Sequence, residues 1–236
     1  MVLRYKNLII IGTSHIARQS YKEVRHLILT EMPGIIALEL DKQRLAALMS
    51  KERPRPNLAL IKHIGLKGYL FTLIGSYIQK KLGSKVGVLP GEEMKEAIRL
   101  AQKLQLRLAL IDQDILVTMK EFSKTFTWKE RFRFIADVFK GIFFKKKQLK
   151  KYGLENLDLS KVPSQATINK LIQDLKYRYP NIYKSLIVDR NRVMAKNLTG
   201  LMKHFPDKKI LAIVGAGHEE AILKLVKTKY IKTSTT

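Results

Sequence analysis

The chain has 236 residues, 46% of them hydrophobic and 28% charged, and no cysteine. This is the composition of a globular protein, and it excludes disulfide frameworks, thiolate metal sites, iron–sulfur clusters and cysteine nucleophiles. Lys and Arg number 45 against 20 Asp and Glu, a net charge of +25, and a field of that sign draws polyanions: nucleic acid or an anionic membrane surface, with an idle lysine-rich exterior as the plain alternative.

In chain order, Leu8 to Gly12 reads as a short strand, and Ala17, Tyr21, Val24, Leu27 and Ile28 follow at helical spacing. After the turn at Pro33-Gly34, Ile35 to Leu40 is a second apolar run, completing a βαβ unit. Asp41 is placed to cap a helix running to about Ser50, and Arg53 to Asn57 breaks the chain before a helical region from Gly65 to Leu82. Val86 to Leu89 reads as a strand, Met94 to Leu104 as a helix, Arg107 to Ile111 as a strand, Ile210 to Val214 as a strand and His218 to Val226 as a closing helix. The alternation predicts an α/β fold, one domain over residues 1–236 whose central sheet has parallel strand pairs flanked by helices.

Between about Lys120 and Lys203 the alternation stops, and the pattern predicts a long helical insertion beside the crevice. Trp128, Phe132, Ile135, Val138 and Phe139 mark an amphipathic helix, and residues 119–152 carry a net charge of +8. Such a helix either lies on an anionic membrane or nucleic acid, or buries its aromatics on the core and solvates its lysines. The apolar run Leu8 to Ile11 is too short for a signal-peptide core, and Tyr69 to Ile78 falls well below the ~20 residues that cross a bilayer. The reading is a cytoplasmic protein, with peripheral membrane attachment as the alternative.

Two similar turns follow strands near the two ends of the chain, Gly12-Thr13-Ser14-His15 and Gly215-Ala216-Gly217-His218. In open parallel sheets ligands bind outside the carboxyl ends of the strands, where these histidines emerge together with Glu39, Asp41, Asp112 and Asp114. His and carboxylates without sulfur suit Mn, Co, Zn or Mg. The alternatives are helix caps for the aspartates, a buried hydrogen-bonded role for the histidines, and phosphate cradled on the backbone N–H groups of the turns. Glu220 stands where a dinucleotide fingerprint needs its third glycine, and no Walker lysine follows either turn. Arg190 shares a helical stripe with Ile187, Met194, Leu198 and Leu201, which demands a carboxylate or phosphate partner unless the side chain snorkels to water.

These residues together resemble the TraB/PrgY (pheromone-shutdown) family, related to the Tiki and GumN proteins and more distantly to the erythromycin-esterase and ChaN-like groups. The blocks run in order: Gly12 to His15 with Ser20, Ala37 to Asp41 with Arg44, Gly91-Glu92-Glu93-Met94 with Ala97, Ile111 to Ile115 with Thr118, Asp189-Arg190-Asn191 with Met194-Ala195, and Val214 to His218. Gln113 stands where the family usually has Arg, and Asn191 where it usually has Asp. The resemblance implies an α/β fold with a helical insertion and, in the Tiki branch, a divalent-metal-dependent peptidase.

Carried onto this sequence, the resemblance implies His15, His218, Glu39 and Glu93 as metal ligands, Mn or Co being favoured and Zn the further candidate. Glu39 and Glu93 divide the roles of ligand and base, Arg190 and Asp112 support them, and Gly12, Thr13, Gly215 and Gly217 form the binding turns. The expected function is a metal-dependent hydrolase acting on peptides. The alternative is a non-catalytic module that sequesters peptides or binds an anionic membrane surface or nucleic acid through the basic insertion.

Overall fold

The computed structural model describes residues 2–14, 18–50, 61–66, 69, 73, 91–143 and 161–232, with the backbone alone at 135, 138–143 and 232. The strands are β1 (Val2–Tyr5), β2 (Leu8–Thr13), β3 (Ile35–Leu38), β4 (Arg107–Leu110) and β5 (Ile210–Gly215). They form one sheet in the order β1-β2-β5-β3-β4, antiparallel at β1–β2 and parallel at the other three pairings. The fold is α/β.

β2 and β5 lie inside the sheet with both faces covered, which is why they read as unbroken apolar runs rather than alternating ones. On one face α1 (Arg18–Glu31) and α3 (Glu92–Lys103) bring Val24, Ile28, Met94, Ala97 and Ile98 against Ile9, Ile11, Ile36, Leu38, Leu211 and Ile213. The shorter α2 (Lys42–Met49) adds Leu45 and Leu48 to that layer. On the other face α8 (Asp189–His204) and α9 (Glu219–Lys232) bring Met194, Ala195, Leu198, Ile222 and Val226 against Leu8, Ile10, Ile35, Ala37, Ile210, Ala212 and Val214. The period of two along each strand sends successive side chains to opposite layers, and each fully buried aliphatic side chain contributes roughly 1.5–3 kcal/mol.

Between β4 and β5 the regular elements among the described residues are helical: α4 (Ile115–Thr125), α5 (Trp128–Phe143), α6 (Gln165–Arg178), α7 (Pro180–Tyr183), a π turn at Lys184–Val188, and α8. α8 belongs to the layer that covers the sheet. The expected strand at Val86 to Leu89 and most of the expected helix from Gly65 to Leu82 lie outside the described residues. No helix among the described residues is long and apolar enough to cross a membrane.

β1 was absent from the sequence reading. It is a hairpin partner of β2, closed at Lys6-Asn7 with Lys6 in the left-handed region at φ 51. Its alternating exposed and half-buried residues and a turn without glycine give little sequence signal.

Candidate functional site

β2, β3, β4 and β5 run parallel, so their carboxyl ends share one edge, and on the α8/α9 side of that edge charged and polar groups gather. Glu39 follows β3 and is buried, as are Asp112 beyond β4 and His218 at the start of α9. Arg190 enters from the first turn of α8. Its Nη2 binds Glu39 Oε1 and Asp112 Oδ2, and its Nε donates to Asp112 Oδ1 at 3.1 Å. Nη1 donates to the Leu186 carbonyl in the π turn at 3.2 Å and lies 3.5 Å from His218 Nε2. Those partners account for all five guanidinium N–H donors. Burial opposes the guanidinium's charge, but Glu39 and Asp112 outweigh it and raise the arginine's pKa further. Arg190 therefore acts by holding other residues in place.

Asp112 is bridged onward to Arg44, whose Nη2 donates to Asp112 Oδ2 at 2.5 Å while its Nε donates to Asp41 Oδ2 at 2.7 Å. Asp41 also caps α2, accepting from the Gln43 and Arg44 N–H groups, and it accepts from the Ile115 N–H. Burial disfavours its charge, but the Arg44 backbone and side chain reverse the balance and lower its pKa. Glu39, Arg190, Asp112, Arg44 and Asp41 thus form a chain of alternating charge. Asp114 caps α4 through Leu116 N–H and stands apart from it. For both aspartates the helix-cap alternative describes the geometry.

His218 is held from both sides. Its Nδ1 and the Asn191 Oδ1 are 2.6 Å apart, so the ring donates there and keeps the lone pair on Nε2, which lies 3.5 Å from Glu39 Oε1. The other Glu39 oxygen, Oε2, accepts the Gly215 N–H at 2.5 Å. A Cβ at Gly215 would stand 3.4 Å from Glu39 Oε2 and 3.5 Å from His218 Cδ2, a close fit. Gly217 has ordinary room, the nearest atom to its Cβ being Ile172 Cδ1 at 3.5 Å.

The phosphate-cradle alternative fares poorly at this turn. Gly215 N–H donates to Glu39, Ala216 N–H to Thr13 O and His218 N–H to Gly215 O, so three of its amides are already engaged. Thr13 is buried and its hydroxyl donates to Val214 O at 3.3 Å, tying β2 to β5. Ser20, in α1, accepts the Ser14 N–H at 2.9 Å. His15 lies outside the described residues. Glu93 is buried in the first turn of α3, in the layer across the sheet from His218.

Three participants escaped sequence reasoning as site residues. Asn191 was noted only as a departure from the family, and Arg44 only as part of a block. Glu219 was not noted at all. Its side chain is 1% exposed, and Oε2 has no hydrogen-bond partner. Burial pushes its pKa up. The carboxylate rests on Gly12, where a Cβ would come within 2.1 Å of Oε2. A glycine inside a strand often marks such a close approach, and that was the available signal.

Among the described residues no three His, Asp or Glu side chains gather to hold a metal ion. His218 Nε2 and Glu39 Oε1 supply two donors, with a guanidinium proton of Arg190 beside the imidazole. An open groove of about 440 Å³ lies between β4, the edge strand among the described residues, and α8, lined by residues that include Ile111, Asn197, Gly200, Leu201 and Phe205 and by none of the cluster.

The sequence model of the TraB/PrgY/gumN family matches residues 4–229. The chain belongs to this family. Family relatives include the Methanocaldococcus jannaschii protein named "Uncharacterized protein MJ1365", 34% identical over 223 residues, covering 94% of this chain and 53% of that protein. A TraB domain-containing protein of Homo sapiens is 20% identical over 193 residues, covering 77% of this chain and 49% of that protein. The chain spans about half the length of the curated relatives it matches. Four of the family blocks quoted from the sequence have residues in the charge chain or in contact with it: Glu39 with Asp41 and Arg44, Asp112, Arg190 with Asn191, and Gly215 with His218, while Thr13 of the first block ties its strand to β5.

Proposed function

We propose that the chain is a hydrolase of the metal-assisted class that acts on peptide bonds, with its reacting centre at His218 and Glu39. The observation that carries this reading is the imidazole: Nδ1 stands 2.6 Å from Asn191 Oδ1, which orients the ring, and Nε2 lies 3.5 Å from Glu39 Oε1 on the ligand-binding edge of a parallel sheet. Orientation of a histidine by a hydrogen bond on its other nitrogen is the usual supporting arrangement for a metal ligand. When bound, a divalent ion lowers the pKa of its water and polarises the scissile carbonyl. His218 and Glu39 would hold it, with a further donor from outside the described residues, where the resemblance implies His15.

The chain's own residues do the rest. Arg190 pairs with Glu39 and Asp112 in a dry setting and holds the Glu39 carboxylate against the Gly215 N–H. For Nε2 to take a ligand, the Arg190 Nη1 proton has to turn away from it. A peptide substrate suits the groove between β4 and α8, whose Ile111 end adjoins Asp112.

The test has two parts. Titration with Mn or Co should raise the melting temperature of the wild type, and not of His218→Ala or Glu39→Gln, because only a protein that binds the ion gains stability by mass action. Hydrolysis of a peptide library should then depend on that ion and stop with a chelator. Equal thermal shifts in wild type and both variants remove these residues from any metal site. Peptide binding without hydrolysis in the presence of the ion replaces the reading with the sequestering one.

A further inference from the structure

Among the described side chains of α5 the aromatic residues lie on two sides, and the two sides meet different surroundings. Phe134 faces inward, edge-on to Phe126 and Tyr179 with ring centroids 6.4 and 6.2 Å apart. The same side is pinned by polar contacts: Glu130 accepts from Asn181 N–H and Nδ2, Arg133 donates to the Arg178 carbonyl, and Arg178 pairs with Asp137. Trp128 and Phe132 point away from all of this, 70% and 68% exposed, one helical turn apart with ring centroids 6.3 Å from each other. Burial of the whole aromatic set on the core, one of the two readings of this helix, is therefore not what these two residues do.

We propose that the Trp128–Phe132 face of α5 is a docking surface for an anionic lipid bilayer, independent of the hydrolase reading. Two large exposed apolar side chains on a helix pinned from behind form an insertion edge, and the net charge of the chain, +25, has the sign an anionic headgroup layer attracts. Lys129 is exposed between them, and residues 119–152 carry +8 within a chain of +25. In the sequence the apolar spacing continues along the helix through Ile135, Phe139 and Phe143, the pattern of an interfacial helix. Nucleic acid fits less well. The Arg131 guanidinium lies over one face of the Trp128 ring at 4.2 Å and the Phe132 ring is tilted to it by 30°, so a base finds one open indole face and no continuous aromatic platform to stack along.

Trp128 is the sole tryptophan of the chain, so its fluorescence reports directly on this surface. The full chain should show a blue-shifted emission and co-sediment with vesicles of phosphatidylcholine and phosphatidylglycerol, and do neither with phosphatidylcholine alone. Phe132→Asp, followed by emission, and Trp128→Ala, followed by sedimentation, should each weaken binding at least ten-fold while melting as the wild type does. Unchanged emission with the anionic vesicles overturns the proposal, as does binding that survives both substitutions. A shift with poly(U) and none with vesicles assigns the surface to nucleic acid instead.

Discussion

Replacing Arg190 with Met keeps much of the side chain's apolar bulk and removes the charge from the centre of the site. Glu39 and Asp112 then lose their shared cation. Asp112 retains Arg44 at 2.5 Å, and Glu39 retains the Gly215 N–H and the neighbouring His218 but no longer the Arg190 guanidinium. Breaking one partner out of a buried ion pair costs about 3–5 kcal/mol, because a desolvated charge is left without compensation. For a chain of this size that corresponds to a melting temperature lower by on the order of 10 °C. The loss should depend on pH in a definite direction. In the variant the buried Glu39 prefers its neutral form, so its folded pKa rises above the unfolded value of about 4.3. The folded state then binds the extra proton, and stability falls as pH climbs from that value through the raised one. Urea denaturation of wild type and Arg190→Met at pH 4.5 and pH 7.5 measures this directly. The gap between the two proteins should be wider at the higher pH. A gap of under 1 kcal/mol at pH 7.5, or one that does not change with pH, would refute the reasoning. Arg190→Lys should recover part of the loss, since an ammonium supplies the charge without the forked geometry that reaches both carboxylates.

Gly12→Ala should destabilise by about 1–3 kcal/mol, because its Cβ would stand 2.1 Å from Glu219 Oε2 and 2.9 Å from Ala216 Cα; adding Glu219→Ala should recover part of that loss in a double-mutant cycle, and strict additivity would sever the two residues. Glu219 has a folded pKa raised by burial, so its contribution is most favourable below the ordinary carboxyl range and is lost as pH rises through the raised value; Glu219→Gln should be more stable than wild type at pH 8 and nearly equal to it at pH 4, read by chemical denaturation. Asn191→Asp should raise the His218 imidazole pKa by placing a carboxylate on Nδ1, which a pH titration of the ring protons by NMR measures. A Cβ at Gly200 meets nothing within 4 Å, so Gly200→Ala should stabilise α8 by about 0.5–1 kcal/mol, whereas Gly200→Phe should fill part of the β4 groove and raise KM for peptides with little effect on kcat.

Why some of this arrangement was legible in the sequence, and some was not, follows from how each residue makes itself known. β2, β3 and β5 are covered on both faces, so their sequences are uninterrupted apolar runs. Arg190 was legible for the opposite reason: a cation in an apolar helical stripe contradicts its surroundings, and the contradiction demanded a carboxylate. Glu39 and Asp112, both partners in the structure, stood among the candidates because strand ends place them on the same edge. The identity of the third candidate's neighbours, at Glu93, depended on which layer α3 joined, and periodicity along one helix carries no information about layers. Asn191 follows Arg190 by one position, so only the rotation of α8 over the sheet decides that its amide meets the His218 ring at 2.6 Å. Asp41 and Asp114 have the same sequence context, a carboxylate between strand and helix, yet Asp41 joins the charge chain through Arg44 while Asp114 caps α4 and accepts from the neutral Gln43 amide. That difference lies in the partner's reach from one turn of α2, a distance that spacing along the chain does not encode. Glu219 is the sharpest case. It sits in a sequence that reads as an ordinary acidic first turn of a helix, and what singles it out is the missing side chain at Gly12, more than two hundred residues earlier. A glycine in a buried strand is a vacancy whose occupant can be identified only when the sheet order has set β2 beside β5 and carried α9 across it.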